Sequence, residues 1–195
     1  MPAFAEDKTK RELLVSKSIN ATTELNDTIR MIVALAKVEE GLLVLNKQQI
    51  DLRQLFEELK TRFVNNAYKG VVIQTVYEAD ELMTVGDRRL LGQCFANLID
   101  NAIKYSDSEV QINITLRKEA DRIAIGIKDN GFGISPEKLP SIFEKYSRAH
   151  TENAKINGYG IGLNYVKTIV EKHKGEVSVQ SEVGVGSEFV VKLVS

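Results

Sequence analysis

The sequence contains a single cysteine, Cys94, so the chain cannot form an internal disulfide bond. This cysteine falls inside a predicted helix, and we interpret it as a small packing residue. No apolar run approaches the length of a membrane-spanning helix, and the first residues, MPAFAEDKTKRELL, lack the apolar core of a signal peptide. We therefore expect a cytoplasmic chain.

Strong charge of either sign is also missing. The chain has 26 Lys and Arg against 27 Asp and Glu, a net charge of -1 and no basic cluster, which argues against a nucleic-acid partner. With 195 residues, of which 43% are hydrophobic, the composition is that of an ordinary globular protein. Its length predicts one domain and an appendage.

The appendage is a long helical pattern over residues 6–40, which contain neither proline nor glycine. One seam of coiled-coil type comprises Val15, Leu25, Ile29, Ile32 and Ala36, with Ser18 and Thr22 as polar interruptions. Such a seam cannot bury itself, so we expect dimerisation or a partner helix. The alternative is a helix that packs back on its own domain.

The rest of the chain alternates between strand and helix patterns. We predict strands at 42–46, 71–77, 83–85, 109–118, 122–128, 175–181 and 187–194, and helices that start at Asp51, at Asp87 and near residue 161. Because the later strands come as hairpins, these elements predict a two-layer α/β sandwich, a mixed sheet with helices on one face. The expected domains are residues 1–41, the N-terminal helix, and residues 42–195.

The central feature is NLIDNAIKYS at residues 97–106, within the predicted helix 88–105. At about 100° per residue, Asn97, Asn101 and Lys104 share one polar face. The opposite face is apolar and consists of Leu91, Phe95, Leu98 and Ala102, with Tyr105 at its border. Amide oxygens suit Mg²⁺ and a lysine suits phosphate, so this face fits a metal–nucleotide complex. A polar face that is merely solvated is the alternative.

Two glycine loops follow this helix. In DNGFG at 129–133, Asp129 ends a strand and glycines let the backbone approach a flat ligand, whose amino group could donate to the carboxylate. Adenine carries such an amino group. GYGIGL at 158–163 opens a helix, where backbone amides freed from side chains bind phosphate oxygens. A dinucleotide-binding interpretation of this second loop fails because no strand directly precedes it.

These motifs, in this order, resemble the ATP-binding catalytic domain of sensor histidine kinases. That domain belongs to the superfamily shared with DNA gyrase, the ninety-kilodalton heat-shock chaperone and the MutL repair proteins. NLIDNAIKYS is similar to the family's N box, DNGFG to its G1 box, FEKYSR at 143–148 to its F box and GYGIGL to its G2 box. The resemblance covers residues 42–195 and implies a Bergerat-type fold that binds ATP and Mg²⁺.

The resemblance also implies a role for each matching residue. Asn97 and Asn101 would bind the metal, Asn97 and Lys104 would be the catalytic residues, and Asp129 would recognise adenine. The implied ATP-binding set is Asn97, Asn101, Lys104, Tyr105, Asp129, Gly131, Gly133, Ile134, Tyr146, Arg148, Gly158, Tyr159, Gly160, Ile161, Gly162 and Leu163. Residues 134–157 would form a lid, which their uneven polar sequence with few apolar anchors fits.

The N-terminal helix, which runs into AKVEEG, resembles the second helix of the dimerisation and histidine-phosphotransfer hairpin. The first helix of that hairpin, with its acceptor histidine, is missing from the sequence, and Lys145 stands where the F box often has proline. Only His150 and His173 are present, and neither is placed to accept phosphate.

The implied function is the ATP-binding catalytic part of a two-component sensor histidine kinase, which transfers the ATP γ-phosphoryl group to a histidine outside this chain. The expected partners are ATP or ADP, the histidine-bearing dimerisation helix, a response regulator and a second copy in a homodimer. The chain could also be the cytoplasmic part of a membrane-bound sensor. Two alternatives stay open: an anti-sigma-factor-like serine kinase of the same superfamily, and a nucleotide sensor without turnover.

Two features favour the histidine kinase over these alternatives and over an ATPase. The hydrolytic relatives carry a glutamate base at the position of Asn97, and an amide cannot take a proton from water. The long amphipathic helix ahead of Gly41 favours the histidine kinase over the serine kinase.

Overall fold

The computed structural model describes residues 2–66, 70–107, 109–147 and 160–195. It divides the chain into two compact units, residues 1–43 and 44–195. Within the described residues, no helix combines the length and the apolar character that crossing a membrane requires.

The first unit consists of helix α1 (Pro2–Glu39) and the residues that end it. Gly41 has a positive φ of 70°, and the Leu42 N–H donates to the Lys37 carbonyl at 2.7 Å, which together make a Schellman motif. The predicted helix end at Gly41 is therefore confirmed. The apolar side chains of the predicted seam, Val15, Leu25, Ile29 and Ile32, are exposed. A partner for this seam stays a prediction.

The second unit contains three α-helices and seven strands among its described residues. In chain order these are β1 (Gln48–Asp51), α2 (Leu52–Asn66), β2 (Val71–Tyr77), β3 (Met83–Gly86), α3 (Arg88–Lys104), β4 (Val110–Glu119), β5 (Arg122–Asp129), α4 (Gly162–Lys172), β6 (Glu176–Glu182) and β7 (Gly186–Val194), with a short 3₁₀ helix at Leu139–Ser141 before α4. The main sheet has the order β2-β4-β5-β7-β6, and only its β2–β4 pair is parallel. Strands β1 and β3 form a separate antiparallel pair.

Within the second unit, α2, α3 and α4 lie on one face of the main sheet. Every second side chain of β4, namely Val110, Ile112, Ile114 and Leu116, is fully buried, whereas Gln111 and Asn113 between them are exposed. Phe56 of α2 and Phe95 of α3 contribute to the core with ring centroids 4.8 Å apart. The predicted two-layer α/β sandwich with a mixed sheet is confirmed.

One predicted strand is wrong. Residues 42–46, LLVLN, are irregular, and the strand forms instead at Gln48–Asp51, where it pairs with β3. The apolar run 42–46 has no alternation of apolar and polar residues, so its sequence does not show which residues would pair as a strand. In the structure Val44 is largely exposed, whereas Ile50 of the neighbouring segment is buried.

Helix α3 forms as the sequence predicted. The Asp87 carboxylate accepts hydrogen bonds from the N–H groups of Arg89 and Leu90, which are unpaired donors in the first turn of an α-helix. The predicted apolar stripe, Leu91, Phe95, Leu98 and Ala102, is buried throughout. Because this stripe is fixed in the core, the opposite face must turn towards α4 and the loops.

Candidate functional site

The polar face of α3 is only partly open to solvent. Asn97 is 9% exposed, and its Nδ2 is buried with no hydrogen-bond partner among the described residues. Asn101 and Lys104 are half-buried, and the Lys104 ammonium lies 2.8 Å from the Asp100 carboxylate. At Asn97, therefore, the polar face is not merely solvated, because the side chain is buried.

The start of α4 lies directly against this amide. A Cβ atom at Gly162 would overlap the Oδ1 of Asn97 and lie 2.7 Å from its Nδ2. Only glycine allows the backbone of the first turn of α4 to come this close. The N–H groups of that turn point out of the helix, so the contact places backbone donors beside the Asn97 side chain. Ile161 and Leu163, on either side of Gly162, are half-buried.

Asp129, at the end of β5, is held by two backbone groups. The N–H of Gly131 donates to Oδ1 at 2.8 Å and the N–H of Ser187 donates to the same oxygen at 3.1 Å. Its Oδ2 has no hydrogen-bond partner among the described residues. Burial raises the pKa of the Asp129 carboxyl, while the two N–H groups act in the opposite direction. The side chain is thus fixed in direction with one acceptor oxygen left for a ligand.

The loop after Asp129 is attached to two other elements. The Phe132 N–H donates to the carbonyl of Tyr105 at the end of α3, and the Phe132 carbonyl accepts from Gly184 in the β6–β7 turn. At Gly133, φ is 69° and a Cβ would overlap the Glu182 carbonyl, so only glycine fits. The loop therefore joins the polar helix α3 to the hairpin β6–β7.

Ile134 and Tyr146 contribute to the site through their backbones. The N–H of buried Ile134 donates to Ser181 Oγ at 2.8 Å. The N–H of Tyr146 donates to the Gly160 carbonyl at 2.9 Å, which joins the predicted F box to the predicted G2 box. The Tyr146 side chain itself is 75% exposed, so the structure gives no contact through which its ring would line a pocket.

Three predicted site residues, Arg148, Gly158 and Tyr159, lie outside the described residues, as does His150. The same holds for residues 148–157 of the predicted lid. The earlier part of that lid, residues 134–147, contains the 3₁₀ helix and two buried side chains, Ile134 and Ile142. These two side chains are the buried apolar anchors of this part, and the lid itself stays a prediction.

Two residues that support the site were not predicted from the sequence. Ser187 holds Asp129 through its N–H, and Ser181 both accepts from Ile134 and donates to the Gly186 carbonyl. Their hydroxyl oxygens lie 2.9 Å apart. Both residues belong to the last hairpin, about 50 positions from the loop that they hold, and no local motif marks them.

A separate open depression of about 350 Å³ lies beside the loop and is lined by Asp107, Glu109, Asn130, Gly131, Phe132 and Gly184. It shares only Gly131 with the predicted site. Its two carboxylates, Asp107 and Glu109, would repel a triphosphate, so we assign the candidate site to the polar face of α3 and the start of α4.

A family model matches the part of the chain that contains the candidate site. The family model described as "Histidine kinase-, DNA gyrase B-, and HSP90-like ATPase" matches residues 86–194, which include α3, both glycine loops and the last hairpin. The chain belongs to this ATPase-like family. The matched range begins at the residue before the Asp87 cap and thus contains every predicted site residue.

The most similar relatives include sensor proteins. The chain is 30% identical to the sensor protein RprX of Bacteroides fragilis over 185 residues, which are 92% of this chain and 36% of that protein. It is 30% identical to the heme sensor protein HssS of Staphylococcus saprophyticus over 190 residues, which are 96% of this chain and 40% of that protein. The chain therefore spans well under half the length of these relatives.

Solved structures share the fold. The Acinetobacter baumannii histidine kinase AdeS matches with a TM-score of 0.72 and 24% identity over 94% of this chain and 84% of that one. Full-length ShkA matches with a TM-score of 0.75 and 22% identity over 91% of this chain and 38% of that one. At these identities the likeness establishes the fold alone.

We expect replacement of Gly162 by alanine to weaken ATP binding more than it weakens the fold. The added methyl group must displace the amide of Asn97, which is the far end of a flexible side chain, so the predicted loss in unfolding free energy is at the lower end of the range of about 1–3 kcal/mol for overpacking. Isothermal titration with Mg-ATP and thermal unfolding measure the two effects. Gly92→Ala is the matched control, since a Cβ there meets only Leu55 Cδ1 at an ordinary 3.5 Å. Equal ATP affinity in both variants would contradict the assignment.

We expect Asp129→Asn to reduce affinity for adenine nucleotides by about 1.5–3 kcal/mol, the size of a hydrogen bond to a charged group. The asparagine oxygen can keep the two backbone bonds of Oδ1, and its NH₂ then replaces the free Oδ2 and meets the adenine amino group donor to donor. Titration with ATP and GTP measures the loss, with the exposed Asp107→Asn as the control. Equal affinity of the unaltered chain for ATP and GTP, or an undiminished ATP affinity in the Asp129→Asn variant, would disprove adenine recognition by this carboxylate.

Proposed function

We propose that this chain is the ATP-binding catalytic part of a two-component sensor histidine kinase. The observation that supports this most directly is the buried Asn97 amide, whose Nδ2 lacks a partner among the described residues and which lies against the first turn of α4. A triphosphate bound there would accept hydrogen bonds from this amide and from the backbone N–H groups of the turn. Lys104, on the same face of α3, would add positive charge once phosphate competes with Asp100.

The adenine end of the nucleotide would bind at Asp129. Its free Oδ2 would accept from the exocyclic amino group, while Gly131 and Gly133 keep the loop backbone close to the base. Tyr105, at the end of α3, contacts the same loop and would border the base. The site thus has a hydrogen-bond acceptor at one end and donors at the other, which matches the polarity of ATP.

The donor set on α3 fits a magnesium ion that arrives with the nucleotide. Mg²⁺ prefers oxygen ligands and usually takes only one or two protein groups besides phosphate oxygens and water. Asn97 and Asn101 would supply these groups as neutral amide oxygens on one helix face. The ion, when bound, would neutralise charge that develops on the transferred phosphoryl group. The contribution of the chain is to hold the two amides, the lysine and the α4 turn in fixed positions.

The nucleophile would have to come from another segment or chain. Asn97 cannot act as a base towards water, which disfavours hydrolysis. His173 is buried, its Nδ1 lies 2.8 Å from the Ile169 carbonyl and its Nε2 accepts from the Asp87 N–H, so it has no nitrogen free for attack. We propose that the acceptor is a histidine on a phosphotransfer hairpin whose second helix is α1.

The same proposal covers the partners of the chain. The exposed seam of α1 would pair with a histidine-bearing helix and with a second copy of the protein, and a response regulator would receive the phosphoryl group. The solved structure of ShkA, which shares the fold, is described as a complex with AMPPNP, an ATP analogue. Relatives named as sensors support a signalling role for the longer protein.

We expect the chain, given Mg²⁺ and radiolabelled ATP, to leave itself unlabelled and to phosphorylate an added helical hairpin that carries the acceptor histidine. In-line attack requires an imidazole nitrogen within about 3–3.5 Å of the reacting phosphorus, and the described residues do not provide one. The label on the hairpin should be acid-labile, as phosphohistidine is. Background release of phosphate should be slow because the Asn97 amide cannot act as a base towards water.

The control is the same hairpin with glutamine in place of its histidine, which should stay unlabelled. Strong acid-labile labelling of the chain alone would contradict the proposal and point to His150 or His173 as the acceptor. Acid-stable label on an added partner would instead support the serine-kinase alternative. ATP binding without any transfer would support a nucleotide sensor.

A further inference from the structure

Helix α4 contacts α3 at both of its own ends. At one end Gly162, the first residue of α4, lies against Asn97. At the other end His173, the C-cap of α4, accepts a hydrogen bond at its Nε2 from the N–H of Asp87, the N-cap of α3, at 2.9 Å. Asp87 precedes Asn97 in the chain but contacts the end of α4, whereas Asn97 contacts its start, so the two helices run antiparallel. The two contacts lie about 15 Å apart along either helix, by the rise of 1.5 Å per residue.

The His173 ring has one arrangement that satisfies both of its nitrogens. The Ile169 carbonyl can only accept, so Nδ1 must carry the proton, and the Asp87 N–H can only donate, so Nε2 must be unprotonated. The ring is 8% exposed and fills the space beside Gly86, where a Cβ would lie 2.8 Å from His173 Cδ2. The histidine is therefore required in its neutral form and in one orientation.

Asp87 connects this contact to the rest of the domain. Its backbone donates to His173, while its carboxylate accepts from the first turn of α3 and from the Asn46 N–H at 3.1 Å. Asp87 itself is 6% exposed. A change at the ring of His173 therefore acts on the residue that fixes where α3 begins.

From this geometry we infer that His173 is a positioning residue for the nucleotide site, because its hydrogen bond to Asp87 sets how far α4 lies along α3 and hence where Gly162 meets Asn97. The inference rests on the proposed function in one respect, that the contact of Gly162 with Asn97 binds phosphate. It assigns a role in nucleotide binding to a residue at the opposite end of the helix pair.

Acid should weaken this contact. Burial lowers the pKa of His173 from its ordinary 6.5, Lys47 acts in the same direction, and the Ile169 carbonyl and the Asp87 carboxylate oppose the shift. The contribution of the neutral ring to stability is therefore complete above about pH 6.5 and is lost as the pH falls through the lower pKa of the folded state. Protonation gives Nε2 a hydrogen that faces the Asp87 N–H, so the hydrogen bond cannot persist.

The test compares the unaltered chain with His173→Gln, His173→Leu and Lys172→Gln. Glutamine can place an oxygen at the position of Nε2 without titrating, leucine removes the acceptor, and Lys172 is an exposed neighbour that serves as the control. At pH 7.5 we expect Mg-ATP affinity to fall roughly tenfold in the leucine variant, a size typical of coupling between separate sites, and to stay near the original value in the glutamine and control variants. As the pH falls below the lowered pKa of His173, the unaltered chain should lose more affinity than the glutamine variant.

A second measurement needs no nucleotide and therefore separates this inference from the proposed function. In nitrogen-15 NMR of the unbound chain, the backbone amide of Gly162 and the side-chain amide of Asn97 should shift with the same midpoint as the His173 ring. These shifts should be absent in His173→Gln. If only signals near Asp87 and His173 move, and the leucine variant loses thermal stability but binds ATP normally, His173 is structural and the inference is wrong. A chain that binds no ATP at pH 7.5 contradicts the proposed function. The NMR result would still decide whether His173 positions Gly162 against Asn97.

Discussion

The close packing of the first turn of α4 against Asn97 is the contact on which the rest of the site depends. It requires a glycine at position 162 and an α3 helix whose opposite face is buried in the sheet. Burial of Leu91, Phe95 and Leu98 stabilises the domain, and the same burial fixes the rotation of α3 and so the direction of its amides. The core and the site are thus built from two faces of one helix.

The other end of the site depends on strand register. Strands β5 and β7 pair so that Lys128 lies opposite Glu188, which brings Ser187 next to Asp129. The N–H of Ser187 then fixes the carboxylate, and the β6–β7 turn holds the loop that follows it. A carboxylate held in this way is oriented before a ligand arrives, which reduces the cost of ordering on binding.

The sequence was most informative where structure is determined locally. Asp87 caps α3 through groups two and three residues away, and the buried stripe repeats at helical spacing, so both were predicted. Ser187 and His173 were not predicted as supports, because they act on residues 58 and 86 positions away, and spacing in the sequence does not reveal such contacts. LLVLN was assigned to a strand because a nearly continuous apolar run carries no period that separates a strand from an extended linker.

In the proposed function, ATP binds along α3 between Asp129 and the start of α4. A crystal structure of the chain with Mg²⁺ and a non-hydrolysable ATP analogue would reveal this binding mode. We expect the adenine amino group within hydrogen-bond distance of Asp129 Oδ2, and phosphate oxygens beside Asn97 and the N–H groups of the first turn of α4. An analogue bound elsewhere, such as in the depression beside Asp107 and Glu109, or with its base remote from Asp129, would contradict it.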